Sequence, residues 1–578
     1  MDSSADRAAV PPRRVAWSTL VAVCLSGAAV AQAAPLGSWA APFDHEVNTA
    51  NTNQLAIPIT HLWPPRFNAI HMALVPVGPH RGRVLVWDKA EVALRPYQRW
   101  SIVDPTWAPG CGRPRFRNFF LSMPQAAQTG DLFCAGHAWL RDGRLFVAGG
   151  TALYPLGPQG YFGAALCYQF APDVYDPANG DHGSWYREPD LATTRWYPTV
   201  TVNADDSVTI AGGSDNGAYH GDYEQYRRSG VGASWGQSPP PPMVFDQRTQ
   251  GGGNPRVYAG PPAPSGFGDY PRLHLLSSGE LFCSGWFRRG VKWRHTPDQQ
   301  PVYDFSAGDG STSPTVSYAS SILDPRQGGG DDRILRIGGS SFGISRYDVD
   351  HVQASVPGPW QSYGAPFRLN HVRWMQNAVI LPDAKVFVVG GFDDGQNPGH
   401  PTLTPELLAP QGWVDVPPHT GARGYHSCAV LLPDGRVFVG GADTRSFDYQ
   451  IYSPPYLTNG LPRPTGIGCS TGPVPGGLRY RADAPDDVHT LHWDEGLPPG
   501  VVVDKVVLLR PGSLTHHSDM DMRYLRLPVL KDDDVDPARC RLRFQGPKDS
   551  AEAPRGWYML FAVTNQGVPG EALWVHVE

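Results

Sequence analysis

The chain has 578 residues and a mass of 62.9 kDa, which exceeds what one hydrophobic core usually organises, so two or more folded units are expected. Its 65 glycines and 59 prolines, spread along the chain, exclude a helical bundle and indicate short strands joined by turns. The net charge is −6 and no basic run occurs, which argues against a nucleic-acid partner.

The first 33 residues have the pattern of an export signal. Arg13 and Arg14 precede an apolar run that ends in the small-residue pattern Ala31-Gln32-Ala33. The alternative is an uncleaved membrane anchor, although the run is slightly short for a span. We therefore expect a signal peptide over residues 1–33 and a secreted or cell-envelope protein, which meets a membrane only if this segment is retained.

A strand signature of β-branched and aromatic residues, usually followed by glycines, recurs through the middle of the chain. Its copies are entered through a turn at intervals of 61, 63, 73, 53, 52 and 51 residues, beginning at Gly82, Gly143, Asp206, Gly279, Asp332, Ala384 and Gly435. Periods near 50 residues resemble kelch repeats, in which four-stranded blades stack radially around a channel. The sequence therefore predicts a seven-bladed kelch-type β-propeller over residues 45–455, with a long surface loop over residues 229–268.

The pattern changes after residue 455. Residues 456–578 carry segments of alternating polarity and lack the glycine-terminated signature. Their length and strand spacing fit an immunoglobulin-like β-sandwich. The predicted fold class is therefore all-β, with a propeller followed by a sandwich.

The repeat also locates candidate functional residues. Counting back nine residues from the turn that opens a signature strand reaches Cys134, Tyr197, Tyr270 and His426. Equivalent positions of rotationally related blades form a ring around one axis, and this set is not one that a packing core would select. The next candidate, Tyr425, precedes His426 directly, and adjacent strand residues point to opposite faces. Both reach one site only if the backbone is irregular there.

Simpler interpretations exist for each residue alone. Cys134 and Tyr197 could each be core residues. The pair Cys134-x-x-His137 could suggest zinc, but no second ligand pair with suitable spacing occurs. His137 is better interpreted as a residue that supports the site ligands or as a structural residue. A conventional copper or zinc hydrolase is disfavoured because no carboxylate motif accompanies the histidines.

Four motifs occur in order along the chain: FCAGH from Phe133, RWYPT from Arg195, GYHSCAVLLPDGRVFVGG from Gly424 and RPGSLTHHSDMDMR from Arg510. Together they resemble the copper radical oxidases, the family of galactose oxidase and, by the motif RWYP, more closely of glyoxal oxidase. The resemblance covers nearly all of the chain after the signal segment, including the C-terminal sandwich.

The resemblance implies a site with one copper ion. Cys134 is expected to form a thioether bond to the ring of Tyr197, whose oxygen is an equatorial copper ligand. Tyr425 is expected to be the axial ligand and proton acceptor. His426 and His516 are the expected equatorial imidazoles, and only the family pattern selects His516 over its neighbour. Mixed imidazole and phenolate ligation suits a tetragonal Cu(II) centre.

The implied reaction is the oxidation of an aldehyde or a primary alcohol by dioxygen, with release of hydrogen peroxide. A phenol that bears an ortho sulfur is oxidised more easily than tyrosine, so Cys134–Tyr197 holds the oxidising equivalent that one copper ion lacks. We expect a monomer acting on small or carbohydrate-linked substrates. The alternative from another class is a non-catalytic kelch propeller that binds carbohydrate or protein at the cell surface.

Two features stay open in the sequence. The tryptophan that covers the sulfur in galactose oxidase has no counterpart in GGSDNGAYH, residues 212–220, so Trp196, Tyr219, Trp286 and Trp374 are candidates for shielding the radical. Removal of the signal leaves seven cysteines. If Cys134 forms the thioether, six remain that could form disulfides, in a pairing that the sequence does not define.

Overall fold

The structure is a computed structural model, and one compact unit in it spans Pro35–Glu578. It describes residues 36–45, 67–89, 97–111, 115–122, 130–152, 162–177, 180–228, 243–245, 257–258, 267–284, 290–295, 301–309, 316, 318–326, 332–341, 344–393, 400–442, 448–470, 477–485, 487–530 and 540–578. The predicted signal peptide lies outside the described residues, as does most of the predicted loop over residues 229–268. The domain boundary at residue 455 stays a prediction.

The first part of the chain forms short antiparallel strands. They are β1 (Ser38–Trp39), β2 (Phe43–Asp44), β3 (His71–Leu74), β4 (Val84–Trp87), β5 (Tyr97–Val103), β6 (Phe116–Ser122), β7 (Asp131–Trp139), β8 (Leu145–Thr151), β9 (Cys167–Asp176), β10 (Asp181–Arg187), β11 (Thr199–Val202), β12 (Val208–Ala211), β13 (Ser214–Asp215), β14 (Ala218–Tyr219), β15 (Tyr223–Arg228), β16 (Met243–Phe245) and β17 (Val257–Tyr258). One sheet has the order β10-β9-β8-β7, and another has the order β11-β12-β15-β16 with β17 against β15.

The middle of the chain repeats this arrangement. Its strands are β18 (Leu273–Leu275), β19 (Leu281–Cys283), β20 (Val291–Trp293), β21 (Ala307–Asp309), β22 (Ser320–Leu323), β23 (Arg333–Ile337), β24 (Ser340–Ser341), β25 (Ile344–Ser345), β26 (Val349–Gln353), β27 (Gly358–Pro359), β28 (Gln361–Tyr363), β29 (Asn377–Ile380), β30 (Val386–Val389), β31 (Glu406–Ala409), β32 (Gly412–Asp415), β33 (Cys428–Leu431), β34 (Val437–Gly440) and β35 (Asp448–Ser453). The main sheets have the orders β18-β19-β20, β22-β23-β26-β28 and β29-β30-β31-β32. The N-terminal strands β1 and β2 complete the sheet of β33, β34 and β35.

The C-terminal part begins with the short helix α1 (Pro455–Thr458). Its strands are β36 (Gly468–Ser470), β37 (Gly477–Leu478), β38 (His489–His492), β39 (Val503–Leu509), β40 (Ser513–Thr515), β41 (Ser518–Asp519), β42 (Tyr524–Leu527), β43 (Arg541–Phe544), β44 (Gly556–Thr564) and β45 (Leu573–Val577). Two sheets, β36-β38-β43 and β37-β45-β44-β39-β42, enclose a core of their own. The hairpin β40–β41 instead joins the sheet β41-β40-β3-β4-β5-β6, so the C-terminal part contributes strands to the first repeat.

Each predicted signature strand is observed, as β4, β8, β12, β19, β23, β30 and β34. The turn residue that opens the strand has a left-handed backbone in six of the seven copies, with φ between 65° and 87° at Gly82, Gly143, Asp206, Gly279, Ala384 and Gly435. Glycine adopts this conformation without steric cost, which explains its recurrence at this position. The all-β fold class is confirmed, whereas the number of seven blades stays a prediction.

No helix within the described residues is long and apolar enough to cross a membrane.

Candidate copper site

Most residues of the ring predicted from the repeat share a distinctive backbone conformation, which the predicted member His426 does not adopt. Cys134, Tyr197, Tyr270, Tyr318 and Met375 are all non-glycine residues with positive φ, at 66°, 63°, 43°, 53° and 58°. Backbone hydrogen bonds connect them across neighbouring sheets: Tyr197 N donates to Cys134 O (3.1 Å) and Tyr270 N to Tyr197 O (2.6 Å). Met375 N likewise donates to Tyr318 O (3.1 Å). A left-handed backbone costs a non-glycine residue about 1–2 kcal/mol, so these contacts must hold it in place.

Two members of this ring were not among the predicted residues. Met375 lies nine residues before Ala384, as the repeat requires, but its apolar side chain carries no chemical signal. Tyr318 lies fourteen residues before Asp332, because the loop between β22 and β23 is longer in that repeat. Tyr318 lies two residues before β22, just as Tyr197 lies two residues before β11, so a count from the preceding strand locates it.

The predicted irregularity at Tyr425 and His426 is present. Both residues lie in a turn that Ser427 N closes by donating to Gly424 O (2.9 Å), ahead of β33. Their rings lie 4.5 Å apart at an interplanar angle of 35°. A side chain on Gly424 would collide with the ring of Phe392, so the close approach of these segments requires glycine here. The turn therefore places both side chains at one site.

His516 is delivered by the turn between β40 and β41, where His516 and His517 both have a left-handed backbone. Thr515 Oγ1 donates to Ile70 O (3.1 Å), so it accepts from Nδ1 of His516 at 2.6 Å. This assignment leaves the lone pair on Nε2 of His516. Nε2 lies 3.7 Å from Cys134 Sγ, so the lone pair is directed to the ring residues.

The structure distinguishes the two adjacent histidines. The side chain of His517 receives a hydrogen bond from Nη2 of Arg272 on Nε2 (3.1 Å), and its ring lies 5.8 Å from that of Tyr318. The ring of His516 lies between the rings of Tyr197 and Tyr425, as described next. His516 is therefore the histidine that reaches the predicted site.

All five predicted site residues come together. The ring centroid of His516 lies 4.7 Å from that of Tyr197, 5.0 Å from that of Tyr425 and 4.6 Å from that of His426. The hydroxyl of Tyr425 donates a hydrogen bond to the hydroxyl of Tyr197. Cys134 is fully buried beside them and packs in one apolar cluster with Tyr197 and Tyr270.

Burial favours the neutral forms of Tyr197, Cys134 and His516. It raises the pKa of the Tyr197 phenol and of the Cys134 thiol well above their ordinary values, and it lowers the pKa of His516 well below its ordinary value. A neutral imidazole is the form that binds metals. A bound cation would reverse the effect on the phenol, because a coordinated oxygen readily loses its proton.

The donor set fits a copper ion by its chemistry. The phenol oxygens of Tyr197 and Tyr425 are hydrogen-bonded to each other. The imidazole of His426 lies 4.6 Å from that of His516 and 4.5 Å from the phenol ring of Tyr425, measured between ring centroids. Imidazole with oxygen donors in a tetragonal arrangement is typical of Cu(II). In the part of the chain that the structure describes, no three His, Cys, Asp or Glu residues form a group that could hold a metal. The candidate site differs from such groups because tyrosines supply half of its donors.

The aromatic residues around Tyr197 show which of the candidate side chains covers its ring. Trp196 stacks on the ring of Tyr197 with centroids 3.7 Å apart and an interplanar angle of 21°, and Tyr270 stacks on it at 4.7 Å and 28°. Tyr219 is 59% exposed, and Trp374 contacts Tyr318. Trp286 lies outside the described residues. Trp196 and Tyr270 are therefore the aromatic neighbours of the candidate radical.

Four of the cysteines other than Cys134 show whether the predicted disulfides form. No disulfide joins Cys167, Cys428, Cys469 or Cys540, so the pairing that cysteine parity allowed is not present for these four.

His137 is buried and hydrogen-bonded to protein groups. This agrees with the interpretation of His137 as a structural residue.

The chain is similar to known proteins in sequence and in fold. Residues 489–577 match the family model of the galactose oxidase-like early set domain. A galactose oxidase of Gibberella zeae is 25% identical over 566 residues, covering 92% of this chain and 73% of the relative. The aldehyde oxidase GLOX of Vitis pseudoreticulata is 26% identical over 485 residues, covering 77% and 82%. A solved fungal alcohol oxidase of the AA5 family, in complex with copper, superposes with a TM-score of 0.66 at 21% identity, covering 94% and 99%.

The last comparison confirms the fold, and the sequence relatives confirm the predicted resemblance. The chain is similar to the copper radical oxidases, the family of galactose oxidase and the glyoxal oxidase-type aldehyde oxidases.

Proposed function

We propose that the chain is an exported copper radical oxidase that oxidises aldehydes or primary alcohols with dioxygen and releases hydrogen peroxide. The observation that carries the proposal is the convergence of Cys134, Tyr197, Tyr425, His426 and His516, from four separate motifs, on one largely buried site. Named oxidase relatives and the copper complex of the AA5 neighbour support the same reaction class.

Tyr197, Tyr425, His426 and His516 would hold the copper ion, which supplies one-electron redox chemistry when bound. With copper bound, the Tyr425 oxygen would have lost its proton and would accept the substrate's hydroxyl proton. The Tyr197 oxygen, which is hydrogen-bonded to Tyr425, would take a hydrogen atom from the adjacent substrate carbon. The contact between the two oxygens matters because one small substrate must meet both acceptors.

The second oxidising equivalent belongs to the thioether-linked pair of Cys134 and Tyr197. Burial of Cys134 excludes water from the sulfur. Trp196 and Tyr270 cover the phenol ring that would carry the unpaired electron. These contacts favour a long-lived radical because bulk solvent and external reductants reach it slowly.

The proposal is tested with copper-loaded protein and a panel of aldehydes and primary alcohols. We expect peroxide release in proportion to the oxygen consumed. We also expect a linked peptide that contains Cys134 and Tyr197, with a mass two hydrogen atoms below the summed masses of the two separate peptides. The variant Cys134→Ser should bind copper, lose the linked peptide and lose peroxide release. Cys428→Ser is the matched control, because it removes a buried thiol that hydrogen-bonds to Ile70 O instead. Copper-loaded protein with neither peroxide nor linked peptide would leave the non-catalytic propeller as the better description.

A further inference from the structure

A chain of buried hydrogen bonds connects Cys134 to the hairpin that carries His516. Nε2 of His71 accepts a hydrogen bond from the backbone N–H of Cys134 (3.1 Å). Nδ1 of His71 lies 3.1 Å from Nε2 of His137, and Nδ1 of His137 lies 2.5 Å from Oγ of Ser513. The Ser513 hydroxyl donates to the carbonyl of His137 (3.0 Å). We call His71, His137 and Ser513 the histidine relay.

The backbone N–H at one end fixes every proton along the relay. An amide N–H only donates, so Nε2 of His71 must accept and its proton must be on Nδ1. That proton is donated to Nε2 of His137, whose own proton on Nδ1 is donated to Ser513. The serine hydroxyl donates onward to a carbonyl, which accepts only. Each of these nitrogen atoms therefore has a partner of the correct kind.

The surroundings of the relay hold it rigidly. His71 and His137 are each 0% exposed, and so is Ser513. The ring of His71 stacks on Trp87 with centroids 4.5 Å apart and nearly parallel planes, and the ring of His137 lies 4.7 Å from Trp87. A buried hydrogen-bond chain without unsatisfied members specifies one arrangement of the groups that it joins.

The relay joins three parts of the chain that are remote in sequence. His71 is on β3, His137 follows Cys134 on β7, and Ser513 begins β40, whose following turn presents His516. The register of β7 against β8 shifts between Asp131 and Ala135, so at Cys134 the regular ladder is interrupted and the bond to His71 replaces it. His71 therefore holds the backbone at Cys134, and hydrogen bonds through His137 connect His71 to the C-terminal hairpin.

We propose that the histidine relay positions the Cys134 thiol for cross-linking and makes this positioning depend on docking of the β40–β41 hairpin. The cofactor would thus form only after the segment that supplies His516 is in place. This inference rests on the proposed function. In the cross-link, the S–H bond and one ortho C–H bond of Tyr197 break and a C–S bond forms. The two hydrogens, with two electrons, pass to dioxygen and give hydrogen peroxide.

The first test follows formation of the linked peptide by mass spectrometry after copper and dioxygen are added to copper-free protein. His71→Leu removes the acceptor of the Cys134 amide, and we expect cross-linking to slow by about tenfold or more, as the loss of a buried hydrogen bond implies. His71→Gln returns an acceptor near the position of Nε2 and should restore most of the rate. Ser513→Ala should slow cross-linking although it touches neither Cys134 nor Tyr197.

The matched control is His274→Leu. His274 is also buried, and it hydrogen-bonds to Ser284 and Ser321 in another sheet (3.0 Å each). This variant should lose thermal stability and still cross-link at the wild-type rate. A folded, copper-binding His71→Leu that cross-links as fast as the wild type would overturn the inference.

The second test does not require the cross-link or copper. In copper-free protein, hydrogen exchange of the Cys134 amide should be about tenfold faster or more in His71→Leu and faster in Ser513→Ala, and unchanged in His274→Leu. If the wild type forms no cross-link, the proposed function fails while this readout still reports on the relay. Unchanged exchange of the Cys134 amide in Ser513→Ala would show that the hairpin does not act on Cys134.

Discussion

At the scale of single residues, Tyr425 and Tyr197 have different tasks although their hydroxyls touch. Tyr425→Phe removes the proton acceptor and leaves Cys134, Tyr197 and His516 in place. We expect kcat to fall by about 10²–10⁴-fold, the range typical of a lost general base, while the linked peptide still forms. Steady-state kinetics and peptide masses on the same preparation check this. Normal turnover in the variant would assign proton transfer to another group.

Trp196 gives a second test at this scale. Stacking of aromatic rings contributes about 0.5–1.5 kcal/mol, so its loss should shorten the lifetime of a Tyr197 radical by about three- to tenfold. Trp196→Leu removes the ring that lies 3.7 Å from Tyr197, and Trp196→Phe keeps a stacked ring. We expect the radical absorbance to decay faster in the first variant and near the wild-type rate in the second. Tyr219→Leu, which changes an exposed aromatic residue, is the control.

At the scale of elements, a buried arginine anchors three of the segments that lead to the ring or to the candidate site. Arg195 lies two residues before Tyr197 and is 0% exposed, and its guanidinium hydrogen-bonds to Glu224 (3.1 Å) and Asp222 (2.6 Å) on or beside β15. The same spacing places Arg373 before Met375 and Arg423 before Tyr425. These arginines pair with carboxylates of their own sheets, at 2.6 Å to Glu406 and 3.1 Å to Asp448.

Arg195→Met should therefore destabilise the protein strongly. It leaves Glu224, which is 0% exposed, without its cation, and breaking a buried pair costs about 3–5 kcal/mol. The double variant Arg195→Met/Glu224→Leu removes both charges and should recover most of that loss. Urea denaturation of the two variants measures the difference. Equal stability of the single and double variants would mean that the pair does not support this segment.

The sequence predicted these elements unevenly. The sequence locates every signature strand, because the strands recur at similar intervals. Most of them also follow a turn residue with a left-handed backbone, a position that favours glycine. Tyr318 was missed because a longer loop shifted its count, and Met375 because its side chain has no chemistry to signal. His71 was missed because a lone histidine in an apolar strand carries no motif; only its contact with the Cys134 amide reveals its importance.

At the scale of the whole molecule, buried neutral histidines tie stability to pH. Burial lowers the pKa of His274 to about 3, whereas an unfolded histidine titrates near 6.5. Between these values the unfolded chain binds one more proton than the folded chain at this residue. The contribution of neutral His274 to the free energy of unfolding is therefore fully present above pH 6.5. It falls by about 1.4 kcal/mol for each pH unit below that value, until the pKa of the folded state is reached.

His274→Gln removes this contribution. The variant's free energy of unfolding should depend less steeply on pH between about 6 and 4 than that of the wild type, with the difference equal to about one proton. Urea denaturation at several pH values provides both curves. Parallel curves for the two proteins would mean that His274 is not held neutral in the folded state.

The sequence by itself determined the all-β fold class and the signature strands of the repeat, because period and turn chemistry are local properties of the chain. The residues of the candidate site came from the repeat together with the resemblance to the copper radical oxidases, and their roles stay a prediction. Only the tertiary structure decided that His516 and not His517 reaches Tyr197, that Trp196 covers its ring, and that His71 holds Cys134. The positions of His516 and His71 depend on contacts of β3, β7 and β40. The hairpin of β40 lies more than 370 residues after β7 along the chain, and no local pattern encodes which side chains meet there.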